Sequence, residues 1–123
     1  PGYMSPEQIL SKPLDARSDL FSLAIVAFEC FTGTRPFAGS NFTQLINSIL
    51  HSKPKSLTEL VPELPLALEA ELERGLAKDP AERYPTAAAL IEALAGALQG
   101  RSTSRPTGGG SSPESLPAPV RQR

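Results

Sequence analysis

With 123 residues, 40% of them hydrophobic, the chain has apolar material enough for one domain of ordinary size. Twelve basic residues against 13 acidic ones leave a net charge of −1, which argues against a nucleic-acid reader or a protein drawn to anionic membrane. The single cysteine, Cys30, excludes an internal disulfide framework, and no signal-peptide pattern opens the chain, so a reducing, cytoplasmic setting is expected.

The chain begins PGYMSPEQ, in what reads as a loop one turn before a helix. Ser5 can cap, Pro6 suits the first helical position, and Gln8 can reach back to the cap N–H, so a short helix is expected to run to about Leu10. Residues 11–17, with Pro13 among them, read as a loop. A second helix is expected over Asp19–Thr32, capped by Ser18 or Asp19. Its apolar residues Leu20, Phe21, Leu23, Ile25, Val26, Phe28 and Phe31 go nearly all the way round, the pattern of a central helix with other elements packed about it. This stretch is interrupted by Ser22 and Glu29 and is too short to cross a bilayer, so no membrane segment is expected within the span. Gly33 stands where a left-handed residue ends a helix, and TGTRPF reads as a turn.

Asn41 with Gln44 three residues on forms a capping-box pattern for a third helix, and Phe42, Leu45, Ile46, Ile49 and Leu50 mark one apolar face. Pro54, Pro62 and Pro65 make 51–65 a loop. A fourth helix is expected over Leu66–Lys78, with Leu68, Leu72 and Leu76 on one stripe. Asp79-Pro80-Ala81-Glu82 is a further capped start, and Thr86 opens a last helix on which Leu90, Ile91, Leu94 and Leu98 share a face. No strand-like alternation occurs. After Gly100 the chain turns to Ser, Pro and Gly with almost no apolar content, the composition of a disordered linker.

Three segments together resemble one family. PGYMSPEQ is similar to the end of a protein-kinase activation segment, with Ser5 in place of the alanine of the Ala-Pro-Glu signature. DARSDLFSLAIVAFECFTGTRPF resembles the following block of the family, with Phe21 where tryptophan is usual and Ala24 where glycine is usual. LAKDPAERYPTAAAL resembles its final block. The order and spacing fit, and the set covers nearly all of residues 1–99. The turn and the tail look most like bacterial serine/threonine kinases of the eukaryotic type.

The resemblance implies an all-α fold: the lower half of the kinase large (C-terminal) lobe over residues 1–99, then a disordered linker over 100–123. It implies a parent enzyme that moves the γ-phosphoryl of ATP, with Mg, onto Ser or Thr hydroxyls. The glycine-rich loop, the strand lysine, the catalytic loop and the metal-binding motif of the family have no counterpart in this sequence. No catalytic, cofactor or metal residue is therefore expected here, and the implied partners are a protein substrate and the preceding part of the kinase domain. The competing expectation is a non-catalytic helical interaction module or a pseudokinase remnant. Without the preceding part, the second helix would expose a large apolar patch.

Residue by residue, the resemblance implies an ion pair between Glu7 and Arg83 that ties the substrate-facing loop to the base of the lobe; separate surface charges are the plainer alternative. Gly2, Tyr3 and Met4 match the substrate-docking loop, with Tyr3 reaching toward Glu29, against an ordinary turn. Asp19 matches an anchor for the catalytic loop, against a simple helix cap. Val26 and Cys30 match supports of the side-chain column under the adenine ring, against plain core packing. His51 is expected to favour a helix C-terminus rather than a metal. Ser102, Thr103 and Ser104 are candidates for phosphorylation in an otherwise solvated linker.

Overall fold

A computed structural model describes residues 2–100; the expected linker, with Ser102, Thr103 and Ser104, lies outside the described residues apart from Gly100. The described residues form six α-helices and one 3-10 turn, with no strand. In chain order these are α1 (Pro6–Ile9), α2 (Ala16–Thr32), α3 (Phe42–His51), α4 (Leu57–Leu60), α5 (Leu66–Gly75), the 3-10 turn Pro80–Glu82 and α6 (Ala87–Leu98).

The helix ends show local chemistry at work. Ser5 forms a complete capping box: its Oγ accepts from the Gln8 N–H at 3.3 Å, and Gln8 Oε1 accepts from the Ser5 N–H at 2.7 Å. α2 starts earlier than its apolar pattern predicts. Asp15, two residues past Pro13, is the cap and accepts from the Arg17 N–H at 2.8 Å, so Ser18 and Asp19 fall inside the first turn. The helix closes at Gly33, whose φ of +78° is cheap only for a residue without a Cβ. Asn41 caps α3 at 2.8 Å, but Gln44 Oε1 turns to the N–H and hydroxyl of Ser40, one residue upstream of the box partner. Thr86 caps α6 through the Ala89 N–H at 3.0 Å. Asp79 caps only a single 3-10 turn.

The loop expected over 51–65 contains α4. Ser56 caps it, and Glu69 on α5 fastens it: Glu69 Oε1 accepts from the Ser56 hydroxyl at 2.9 Å and from the Thr58 N–H and hydroxyl at 2.8 Å each. These bonds, the Thr58 N–H first, hold the Glu69 carboxyl below its ordinary range. The signal was present as Ser56-Leu57-Thr58-Glu59, a capping-box pattern among three prolines.

The core lies among α2, α5 and α6, and α5 packs against both of the others. The expected stripe Leu68, Leu72 and Leu76 is fully buried there. α2, expected to be covered all round, buries Leu20, Phe21, Ala24, Ile25 and Phe28 but leaves Val26 and Cys30 exposed, so α5 is the central helix of the described residues. On α6 the buried face is Leu90, Ala93, Leu94, Gly96 and Ala97, while Ile91 and Leu98 are half exposed. The face expected from the four large residues is rotated toward the small residues Ala93, Gly96 and Ala97. α3 touches the core mainly through Ile49, and Phe42 at its start is 63% exposed.

At Gly75, α5 comes close to both α2 and α6. A Cβ built there would lie 3.1 Å from Ala24 Cβ on α2 and 3.3 Å from Leu90 Cδ1 on α6. Leu90 can rotate away, but Ala24 Cβ is fixed to its backbone, so the α2 and α5 backbones would have to give by a few tenths of an ångström. Replacing glycine in a helix gains at most about 1 kcal/mol, whereas overpacking costs about 1–3 kcal/mol. Gly75→Ala is therefore expected to destabilise the lobe by about 1 kcal/mol despite better helix propensity, as a lowered urea midpoint with an unchanged slope. Leu72→Ala should cost more, about 2–5 kcal/mol in the same measurement.

Candidate functional site

Arg83 follows the 3-10 turn, and its extended backbone sends the side chain under α1 and the start of α2. It is 2% exposed, and a buried guanidinium is tolerable only if its donors are used. All five N–H groups have acceptors. Nη1 donates to Glu7 Oε2 at 2.7 Å and to the Arg17 carbonyl at 2.8 Å. Nη2 donates to Glu7 Oε1 at 2.9 Å and to the Lys78 carbonyl at 3.2 Å. Nε donates to the Ala77 carbonyl at 2.7 Å. The plane also lies over the Phe21 ring, 4.8 Å from its centroid. Glu7, 5% exposed, takes a further hydrogen bond from the Ser18 hydroxyl at 2.7 Å. Burial by itself pushes the Glu7 carboxyl up; the bonds from Arg83, Ser18 and its own backbone outweigh this and hold it down at about 2.

Ahead of this pair, residues 2–4 are held against α2. The Tyr3 hydroxyl donates to Glu29 Oε1 at 2.6 Å, and the Ser22 hydroxyl donates to the Tyr3 carbonyl at 2.5 Å. Gly2 is buried, Met4 half-buried and Tyr3 36% exposed. The structure thus brings Tyr3 to Glu29 and Glu7 to Arg83, across sequence separations of 26 and 76 residues.

The other expected positions sit apart. Asp19 is exposed in the first turn of α2 and, contrary to the cap reading, Asp15 does the capping. Val26 and Cys30, one turn apart on α2, are both exposed, which overturns plain core packing for them among the described residues. His51 is the last residue of α3 and exposed. Among the described residues no group of three or more His, Cys, Asp or Glu is placed to hold a metal, and no helix is long and apolar enough to cross a membrane.

Two polar anchors escaped the sequence reading. Lys78, within LAKDP, donates to the Ile49 carbonyl near the end of α3 at 2.5 Å and lies 4.0 Å from the Phe37 ring centroid. Burial, then the nearby Arg83 charge, lowers its pKa to about 8. Tyr84 donates to the buried Glu71 carboxylate on α5, and the Arg74 guanidinium covers the Tyr84 ring at 4.2 Å. Neither polar partner could be chosen from spacing, because each bond crosses between elements.

Cutting the Glu7–Arg83 pair strands a charge in the interior. Glu7→Ala is expected to cost about 3–5 kcal/mol in denaturant melting of the kinase lobe carrying this chain. A cost below about 1 kcal/mol would place the pair with exposed ion pairs. The pH dependence has a definite sign. The folded carboxyl titrates near 2 and the unfolded one near 4.5. The unfolded chain therefore binds more protons between these values, so the contribution is complete above about pH 4.5 and is lost as pH falls toward 2. Acid unfolding of Glu7→Gln should lack this component.

The profile of the protein kinase domain family matches residues 1–106. The tyrosine-protein kinase MasK of Myxococcus xanthus is 42% identical over 92 residues, 75% of this chain and 14% of that protein. The serine/threonine-protein kinases PksC of Streptomyces coelicolor and PknE of Mycobacterium tuberculosis are 38% and 36% identical, over 73% and 82% of this chain and 16% and 18% of theirs. The crystal structure of the Mycobacterium tuberculosis PknI kinase domain superposes with a TM-score of 0.64 at 28% identity, over 79% of this chain and 35% of that one. The chain thus spans less than a fifth of these curated relatives and about a third of the solved kinase domain. It belongs to the protein kinase domain family and corresponds to part of the larger kinase fold.

Proposed function

We propose that this chain is the substrate-docking and scaffolding part of a serine/threonine protein kinase, and that residues elsewhere in the kinase domain supply the chemistry. The observation that carries this reading is the Glu7–Arg83 fork. It fastens the residues just after the Gly2–Met4 loop to the base of the helical lobe, so the loop has a rigid platform. Phosphoryl transfer depends almost wholly on placing ATP, Mg and the acceptor hydroxyl, and a docking loop on a rigid lobe supplies the last of these. ATP and Mg would bind outside this span. The exposed strip of Val26 and Cys30 on α2 suits contact with the preceding part of the domain, as a support beneath the adenine ring, and Asp19 is free to anchor a catalytic loop at the other end of α2. The kinase domain would act in the cytoplasm, whether or not the parent protein carries a membrane anchor beyond the linker.

The uncovered apolar residues Phe42 and Val26 also fit a second reading, a non-catalytic helical interaction module. Incubating the full-length protein with radiolabelled ATP, Mg and a generic protein substrate separates the two. Phosphoserine or phosphothreonine in the acid hydrolysate is the expected result. Phosphotyrosine alone, the specificity that the name of MasK carries, would overturn the choice of hydroxyl. No transfer, with the protein folded, would favour the interaction module.

A further inference from the structure

Arg35 lies in the turn after α2, which its sequence marks only as a turn. Three features direct it at the loop 2–4. Its guanidinium carbon sits over the Tyr3 ring, 4.7 Å from the centroid, well inside the ~6 Å within which a cation is drawn to an aromatic face. Its Nε lies 3.9 Å from Glu29 Oε2, on the same carboxylate that takes the Tyr3 hydroxyl through its other oxygen. Its tip packs so closely on Gly2 that a Cβ there would lie 2.2 Å from Nη1. The glycine at position 2 thus leaves room for the Arg35 tip, and a side chain there would have to displace it.

We propose that Arg35 is a positioning residue that clamps Gly2 and Tyr3 against the C-terminal end of α2 and so sets how well the loop holds a protein substrate. The inference rests on the reading of Gly2–Met4 as the docking loop. The Arg35 and Glu29 side chains are 45% and 37% exposed, so the clamp lies outside the core and its loss spares the fold. It lies on the docking loop rather than on any group that handles the phosphoryl, so its loss acts on substrate affinity and not on the transfer step. Lysine would keep the charge but lose the flat guanidinium face that stacks on Tyr3.

The test compares the full-length kinase with Arg35→Ala, Arg35→Lys, Gly2→Ala and the Gly2→Ala/Arg35→Ala double variant. It reads KM and kcat for a protein substrate, the melting temperature, and amide hydrogen exchange at Tyr3 and Met4. Arg35→Ala should raise KM roughly five- to tenfold, with kcat within about twofold and faster exchange in the loop. Arg35→Lys should recover only part of this. Gly2→Ala should harm the wild type, by displacing Arg35, but add little in the Arg35→Ala background, a non-additivity that marks direct contact. An unchanged KM, or a fall in kcat together with melting temperature, overturns the proposal, and full recovery by lysine overturns the stacking argument. If the wild-type kinase transfers no phosphate, the docking reading fails by itself; loop exchange still decides the clamp, and unchanged rates in Arg35→Ala overturn it.

Discussion

A single guanidinium organises one end of this molecule. Arg83 binds Glu7 from α1, the carbonyl of Arg17 at the start of α2, and the carbonyls of Ala77 and Lys78 in the turn after α5. A charged group in the interior is costly unless every donor is met, and here all five are. The same condition that makes Arg83 tolerable therefore fixes the relative positions of three chain segments. Lysine, a point charge without the planar fork, could not satisfy the carboxylate through two prongs while reaching three carbonyls.

The rest of the polar framework uses the same device on a smaller scale. Glu69 gathers α4 by accepting three hydrogen bonds, Lys78 meets a free carbonyl near the end of α3, and Tyr84 donates to Glu71 inside the core. Each joins an element too short, or too thinly covered, to be held by apolar burial alone. α1 and α4 are single turns, and isolated helices of that length are not stable in water. By contrast α2, α5 and α6 hold together by close packing around Gly75, where small side chains let the helices approach. Apolar packing thus builds the three-helix centre, and buried ionic and hydrogen-bonded anchors attach the loop 2–4 and the peripheral turns to it.

Much of this was legible in the sequence where the cause is local. Ser5 with Gln8, Asn41, Thr86 and Gly33 each announce a helix end, because the group that satisfies the orphan N–H or closes the helix lies within a few residues. The stripe Leu68, Leu72 and Leu76 was equally plain. The errors also have physical reasons. The start of α2 was missed because Asp15 caps it, while the apolar pattern begins only at Leu20. α4 was hidden by its prolines. The buried face of α6 was misjudged because apolar size was read in place of closeness of approach: Ala93, Gly96 and Ala97 are buried while Ile91 and Leu98 are not.

The sequence by itself determined most of the longer helices, several of their caps and the family, since these rest on hydrogen bonds and side-chain spacings within a turn or two, and on motifs whose order survives in the chain. It also supplied Glu7, Arg83 and Tyr3 as candidates, but only through resemblance. Which donors meet which acceptors was decided by the tertiary structure alone: the five partners of Arg83, the seat of Lys78 on Ile49, and the reach of Arg35 over Tyr3 to Gly2. The same holds for which face of α2 is covered. A hydrogen bond or a close packing contact is made by atoms a few ångströms apart, and when those atoms belong to residues 29, 66 or 76 positions distant, as in Ile49 with Lys78, Arg17 with Arg83 and Glu7 with Arg83, no local spacing in the chain records their meeting.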